Sequence, residues 1–160
     1  MMDETDAAIV EMLQANARVS QADIARTVGL APSAVLERIR KLEGRGIVTG
    51  YTALVSPAAV DRRLLAFVSV RTTHRPGEAR VGQALAELPE VLEVHHVAGD
   101  DCLLLKIRVR DAAHLSRILR ERLGPIEGIS STRTTIVLET VKETPRIPLP
   151  PADPSRGGAS

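Results

Sequence analysis

The first third of the chain repeats apolar residues with the 3.6-residue period of short amphipathic helices. Asp3 can cap a first helix, in which Ile9 and Leu13 are on the apolar face. Ser20 can cap a second helix, and Gly29 is placed to end it, because glycine readily adopts the left-handed conformation that stops a helix. The pattern predicts two short helices in succession.

A third helix is predicted from Pro32 to about Glu43, because proline is tolerated at the first helical position and a periodic apolar stripe follows. The residues expected to be buried are Val35, Ile39 and Leu42. Two short helices joined around a glycine form a helix-turn-helix, whose second helix enters the DNA major groove. Helical hairpins in general share some of this pattern. With a short strand over 47–51, the prediction for residues 1–50 is a winged helix-turn-helix.

From Leu64 onward the pattern changes to the short apolar runs of β-strands. The predicted elements are a strand over 64–72, a helix over 77–87, strands over 91–97 and 102–109, a helix over 112–123 and a strand over 129–141. The order βαββαβ is the ferredoxin-like plan, so the fold class is α+β. The strands are apolar on both alternating sets. Since two helices cover one face of a sheet, we expect a second copy of the chain to cover the other.

Composition marks the limits of the two domains. Residues 51–63 are interpreted as a linker, and residues 64–142 as the ferredoxin-like domain. Residues 143–160 combine several prolines with small polar residues, so we expect an extended and largely disordered tail. Aromatic residues make up 1% of the chain, which leaves two small aliphatic cores. Small cores are individually marginal, and this favours oligomerisation.

Charge and cysteine content narrow the class of protein further. Cys102 is the single cysteine, which excludes an intramolecular disulfide and fits a reducing cytosol. The acidic start is unlike a signal peptide, and apolar runs fall short of the ~20 residues of a membrane span, so we expect a cytoplasmic protein without a membrane partner. The net charge is +1, but residues 31–50 carry four basic residues against two acidic ones. This suits a helix that meets phosphate, and a solvated helix face explains it equally well.

Four stretches of the chain resemble a known family. They are DETDAAIVEML at 3–13, SQADIARTVGLAPSAVLERIRK at 20–41, LEGRGIVT at 42–49 and VAGDDCLLLKIRVR at 97–110. Over residues 3–142 the chain resembles the leucine-responsive/asparagine (Lrp/AsnC, feast/famine) transcription regulators. The resemblance implies binding to double-stranded DNA and homodimers paired through the C-terminal sheets, often assembled into tetramers or octamers. It also implies that an amino acid or related metabolite binds between subunits, near the loop after the second strand.

Two positions depart from the pattern of this family. Members usually have Ser or Thr where Ala31 stands, so the recognition helix loses a side-chain cap worth about 0.5–2 kcal/mol. Many members have Asp where Cys102 stands, which puts ligand chemistry borrowed from them in doubt. We therefore expect a softer recognition helix and leave the effector unidentified.

The candidates for DNA contact lie on the second and third helices. They are Gln21, Ser33, Ala34, Glu37, Arg38, Arg40 and Lys41. Arginine and lysine bind phosphate or guanine edges, and a hydroxyl near a helix N-terminus suits phosphate or a base edge. For Gln21 and Glu37 a solvated position is an equal alternative, since a glutamate can accept from cytosine but repels phosphate.

The candidates for effector binding are Gly99, Asp100, Asp101 and Thr134. Glycine and aspartate are ordinary turn formers, so the first three residues also fit a plain hairpin. In the functional interpretation, an aspartate would pair with a ligand ammonium and the turn amides would hold its carboxylate. Thr134 is also a residue type that favours strands.

Other chemistries find no support in the sequence. His95 and His96 are adjacent on one predicted strand and point to opposite faces, so we expect no metal site and no cofactor. No catalytic motif is present, and we expect the protein not to be an enzyme. Two alternatives stay open: a ligand-independent architectural DNA-binding protein, and an amino-acid-sensing regulatory subunit of an enzyme. The second would leave the first 50 residues unexplained.

Overall fold

The computed structural model describes residues 2–73, 80–99 and 102–150. The chain divides into two compact units, Met1–Leu54 with Glu143–Ser160, and Val55–Lys142. We call the first the reader unit and the second the sheet unit. No helix among the described residues has the length and apolar character needed to cross a bilayer.

Three helices form the reader unit: α1 (Glu4–Ala15), α2 (Gln21–Val28) and α3 (Pro32–Gly44). The predicted caps are present, since Asp3 accepts from the backbone N–H of Asp6 at 2.7 Å and Ser20 accepts from that of Asp23 at 3.0 Å. Gly29 ends α2 with φ +70°, a left-handed conformation that glycine adopts without strain. At the start of α3, Ala31 makes no side-chain capping bond, as expected.

The three helices bury one small aliphatic core. Its residues are Ile9, Val10, Ile24, Ala25, Val35, Ile39 and Leu42. The stripe predicted for α3 is therefore confirmed. The strand predicted over 47–51 is wrong: after α3 the N–H groups of Ile47 and Val48 bond back to the carbonyl of Leu42, at 2.9 and 3.2 Å. A strand needs a neighbouring backbone, and in this segment the helix end takes these donors instead.

The sheet unit carries an antiparallel sheet in the order β2-β3-β1-β4. Its strands are β1 (Leu64–Thr72), β2 (Val91–His96), β3 (Leu103–Val109) and β4 (Ile129–Ile136). With α4 (Arg80–Ala86) and α5 (Ala112–Ile118), the order is the predicted βαββαβ. The predicted start of α4 at 77 lies outside the described residues.

Helix α5 continues into a π-helical turn, Leu119–Leu123. Asp111 caps α5 by accepting from the N–H of His114 at 2.7 Å. Gly124 closes the π turn by donating to the carbonyl of Leu119 at 3.0 Å. A Cβ on Gly124 would lie 2.7 Å from the carbonyl oxygen of Arg120, so any other residue here would force the backbone to shift.

One face of the sheet packs against the helices and forms the second core. It includes Ala66, Val68, Val70, Leu105, Ile107 and Val109, each 0% exposed. The opposite face is less apolar than we expected. Phe67 and Leu104 lie there, but so do Ser69, Lys106 and Arg108, because each alternates with a buried residue along its strand.

Strand β4 ends at Ile136, earlier than the predicted 141. Val137 still donates to the carbonyl of Leu65 at 2.9 Å, and β1 begins only one residue away, at Leu64, so little of β1 remains for a longer β4 to pair with. Leu138 is accordingly 98% exposed. Residues 143–150 contain no helix or strand. We expected this segment to be largely disordered, but it forms hydrogen bonds to α1.

Candidate DNA-binding and effector sites

The outward face of α3 combines hydroxyl, acidic and basic side chains. Ser33, Glu37 and Arg40 follow an i, i+4, i+7 spacing that places them on one side of the helix, and all three are exposed. Lys41 is also exposed and lies next to this row, where its Nζ is 2.8 Å from Oε1 of Glu37. Ala34 is half-buried at the edge of the face.

The Glu37–Lys41 pair places opposite charges on the outward face of α3. Its hydrogen bond and charge hold the pKa of the Glu37 carboxyl below its ordinary value. The carboxylate therefore stays ionised at neutral pH and neutralises Lys41 in the absence of DNA. A phosphate close to Lys41 would compete with Glu37 for that ammonium group. Arg40 is also exposed on this face, and it forms no ion pair with another of the described residues.

Arg38 points away from this outward face. Its Nη1 donates to Oδ2 of Asp3 and to Oδ1 of Asp6, both at 2.7 Å. Asp6 is only 8% exposed, so its charge is largely removed from water. The two carboxylates raise the pKa of the guanidinium, which remains charged in any case. Arg38 thus joins α3 to the N-terminal end of α1, a role that the sequence pattern did not reveal.

Gln21 is exposed at the first position of α2. The adjoining Ser20 cap is occupied within the helix, because its hydroxyl donates to a carboxylate oxygen of Asp23 at 2.6 Å. The same aspartate pairs with Arg26. Gln21 therefore lies beside a helix N-terminus at which the Ser20 hydroxyl and the Asp23 carboxylate already have partners.

Tyr51 is a further residue that sequence reasoning missed. Its hydroxyl donates to Oε1 of Glu43 at 2.8 Å, which ties the segment after α3 to the helix end. Burial, the hydrogen bond and the negative charge of Glu43 raise the pKa of Tyr51 to about 12. An aromatic residue eight positions after a glutamate gives no sequence signal for this contact.

Of the effector candidates, Gly99 lies in the turn after β2 and has φ +120°. Asp100 and Asp101 lie outside the described residues. On the far side of the turn, Cys102 donates its N–H to the carbonyl of Val70 at 3.0 Å and accepts from Val97 at 3.2 Å. Cys102 is thus bonded both to β1 and to the residue that follows β2.

Thr134 is not beside this turn within the chain. It lies in β4 opposite Val68, and β1 separates β4 from β3. Two strand spacings amount to about 10 Å, and Thr134 is also displaced along β1 from the end where Val70 meets Cys102. Because Val68 faces the helices, Thr134 is on the helix-covered side of the sheet, where it is half-buried.

The open face of the sheet carries an ionic cluster across β2 and β3. Glu93 accepts from Nζ of Lys106 and bonds to Nε2 of His95, both at 3.1 Å. These bonds hold the pKa of the Glu93 carboxyl below its ordinary value. His95 is thereby engaged with a carboxylate, and the described residues contain no group of three His, Cys, Asp or Glu side chains that could hold a metal ion.

Family models match both parts of the chain. The AsnC-type helix-turn-helix domain matches residues 2–43. The Lrp/AsnC ligand binding domain matches residues 65–147. These two matches cover the three helices of the reader unit except Gly44, and the βαββαβ sequence except Leu64.

Similar proteins of full length agree with this assignment. The leucine-responsive regulatory protein of Escherichia coli K12 is 37% identical over 148 residues, covering 91% of this chain and 90% of that protein. A transcriptional regulator from Neisseria meningitidis, solved as a complex with L-Met, superposes with a TM-score of 0.87 at 30% identity, covering 92% of this chain and 97% of that one. A feast or famine regulatory protein from M. tuberculosis complexed with L-methionine gives 0.85 at 33% identity, covering 92% and 99%. The chain belongs to the Lrp/AsnC family of transcriptional regulators.

Proposed function

We propose that the protein is a transcription regulator that binds double-stranded DNA through α3 and responds to an amino acid. The supporting observation is the presence, in one chain, of an AsnC-type helix-turn-helix with exposed Arg40 and Lys41 and of an Lrp/AsnC ligand binding domain. Regulation rather than catalysis is the function that this pairing favours.

In the proposed DNA complex, Ser33, Glu37, Arg40 and Lys41 face the major groove. Arg40 and Lys41 neutralise phosphates or read guanine, and Ser33 lies at the N-terminal end of α3, where a helix favours anions. Glu37 keeps Lys41 paired until a phosphate replaces it. Arg38 is not among the proposed DNA contacts, because its guanidinium is bonded to the carboxylates of Asp3 and Asp6 at the start of α1.

For the effector, we propose an amino acid bound at the turn of Gly99, Asp100 and Asp101 together with groups of a neighbouring subunit. Two relatives were solved with L-methionine, which makes this amino acid the first probe. Thr134 is about two strands from the turn within one chain, so a direct role for it requires that it act in a different subunit or at a different site.

DNA affinity measured with and without L-methionine and L-leucine tests this proposal. The probe is a duplex selected from random sequence by the wild-type protein. We expect one amino acid to change the affinity several-fold, since allosteric coupling is typically about 1–3 kcal/mol. Asp100→Ala and Asp101→Ala should lose that response and keep the ligand-free affinity. Glu127→Ala, an exposed acid of the same unit, is the control.

An unaltered response in both aspartate variants would place the effector elsewhere. If none of the twenty amino acids changes either DNA affinity or the melting temperature, the effector part of the proposal is wrong and the architectural alternative replaces it. Such a result would leave DNA binding itself intact.

We further propose that the chain forms homodimers through the open face of the sheet. Phe67 and Leu104 provide apolar contact there, and the Glu93–Lys106 pair is satisfied without a partner. Sedimentation of the full chain at micromolar concentration should give at least twice the monomer mass of 17.2 kDa. A stable monomer would refute the dimer, and larger species would indicate the tetramer or octamer.

A further inference from the structure

The C-terminal segment meets the last turn of α1 within the reader unit. Nε2 of Gln14 donates to the carbonyl of Ile147 at 2.9 Å, and Oε1 of Gln14 accepts from the Ile147 N–H at 2.7 Å. One amide side chain therefore satisfies both backbone groups of a single residue, as a neighbouring strand would. We call residues 146–149 the clasp.

Charge and apolar contact strengthen this pairing on both sides of Ile147. Nη2 of Arg146 donates to the carbonyl of Ala15 at 3.3 Å. The C-terminus of a helix is stabilised by a nearby cation. Helix α1 has no basic residue in its own last turn, and Arg146 supplies that cation instead. Leu149 is half-buried against the core of the three helices. The clasp is thus held by the amide of Gln14, by a hydrogen bond from a cationic side chain to a helix-end carbonyl, and by apolar contact.

The local sequence favours an extended backbone conformation in the clasp. Ile147 precedes Pro148, and Leu149 precedes Pro150. A residue before proline is restricted to extended conformations, so both residues have fewer conformations to lose on docking. The proline content led us to expect disorder in the tail. Over residues 146–149, the same prolines lower the conformational entropy that is lost when the segment docks on α1.

The path of the chain gives the clasp a wider consequence. The polypeptide leaves the reader unit after Leu54 and returns to it at Glu143. The reader unit is accordingly joined to the sheet unit at two points, by the segment before β1 and by the segment after β4. Without the clasp, the described segment after β4 would lose its bonds to α1.

We propose that the clasp is a constituent of the reader unit and makes the end of β4 a second connection through which the sheet unit acts on α1. The first part of this proposal, that the clasp belongs to the reader unit, depends only on contacts within this chain. The second part, the coupling to α1, rests on the proposed amino-acid response. Changes in β4 would reach α1 along residues 137–145, and breaking the clasp would leave only the segment before β1 to carry them.

Amide hydrogen exchange of the full chain, measured without DNA or amino acid, tests the first part. With labelled isoleucine, the Ile147 N–H should be protected in the wild type and exchange about tenfold faster or more in Gln14→Ala. Glu11→Ala, an exposed residue on the same helix with a similar change in helix propensity, should keep the protection. Exchange of Ile147 at its intrinsic rate in the wild type, or equal loss in both variants, would overturn the clasp.

A chain that ends at Lys142 tests whether the clasp belongs to the reader unit. Exchange of the Asn16 N–H, which bonds to Met12 at the end of α1, should accelerate about tenfold, while exchange in β1 stays unchanged. No change at α1 would overturn the proposal.

The coupling is tested by the amino-acid response of DNA affinity in Gln14→Ala against Glu11→Ala. A smaller response in Gln14→Ala supports the second connection, and equal responses overturn it. Absence of any response in the wild type is a failure of the proposed function and leaves the exchange results standing. The two proposals therefore fail in distinguishable ways.

Discussion

Replacing Arg38 should destabilise the reader unit although this residue lies on the recognition helix. Its Nη1 bonds to both Asp3 and Asp6 at 2.7 Å, and Arg38→Ala would leave the buried carboxylate of Asp6 without its cation. Breaking a fully buried pair costs about 3–5 kcal/mol. The Arg38 side chain is 33% exposed, so solvent compensates part of that loss and we expect about 1–3 kcal/mol.

Thermal or urea unfolding of the reader unit within the full chain measures this loss. For a unit of this size each kcal/mol lowers Tm by about 4–8 °C. The matched control is Arg40→Ala, an exposed arginine on the same helix, which should change stability by less than about 0.5 kcal/mol. If Arg38→Ala is as stable as Arg40→Ala and instead reduces the salt dependence of DNA binding, the structural role of Arg38 is refuted.

Three further predictions concern a cap, a close contact and pH. Ala31→Ser should add about 1 kcal/mol to the unfolding free energy, because α3 lacks a side-chain cap; an unchanged urea midpoint would contradict this. Gly124→Ala should lower the Tm of the sheet unit, since a Cβ would lie 2.7 Å from the Arg120 carbonyl oxygen; an unchanged Tm would show that the turn adjusts freely. Burial raises the pKa of Asp3, but hydrogen bonds outweigh it and hold the pKa below 3.8. Its stabilisation is thus complete above that value and lost as pH falls through the lower, folded pKa, so Asp3→Asn should flatten acid unfolding, and identical curves would refute the assignment.

The periodic features of the sequence predicted most of the fold. Helix caps at Asp3 and Ser20 and the glycine stop at Gly29 are local signals, because each acts through its own neighbouring backbone. The element order βαββαβ was predicted because the apolar pattern changes from helical to strand-like runs after residue 63, and it indicated the ferredoxin-like plan. Errors occurred where pairing decides the outcome: residues 47–51 pair with no strand of the described chain, and β4 ends close to the point at which β1 begins.

The site was less predictable because its residues depend on contacts distant in sequence. Helical spacing shows that Arg38 lies on α3, but its orientation is set by two carboxylates more than thirty positions away. Likewise, the pairing of Gln14 with Ile147 spans 133 positions and follows no periodic pattern. Composition alone indicated disorder for the tail. Amino-acid composition carries no information on which helix offers the tail partners for its backbone hydrogen bonds.

Whether α3 binds DNA through Arg40 and Lys41 is decided by the salt dependence of DNA affinity. Fluorescence anisotropy with a duplex selected by the wild-type protein gives the slope of log K against log salt concentration. If both side chains neutralise phosphates, replacing each with Ala should weaken binding and reduce that slope by about one for each residue. Weaker discrimination between sequences at an unchanged slope would instead assign them to base edges. An Arg40→Ala, Lys41→Ala double variant with wild-type affinity, slope and sequence preference would show that neither side chain contacts DNA.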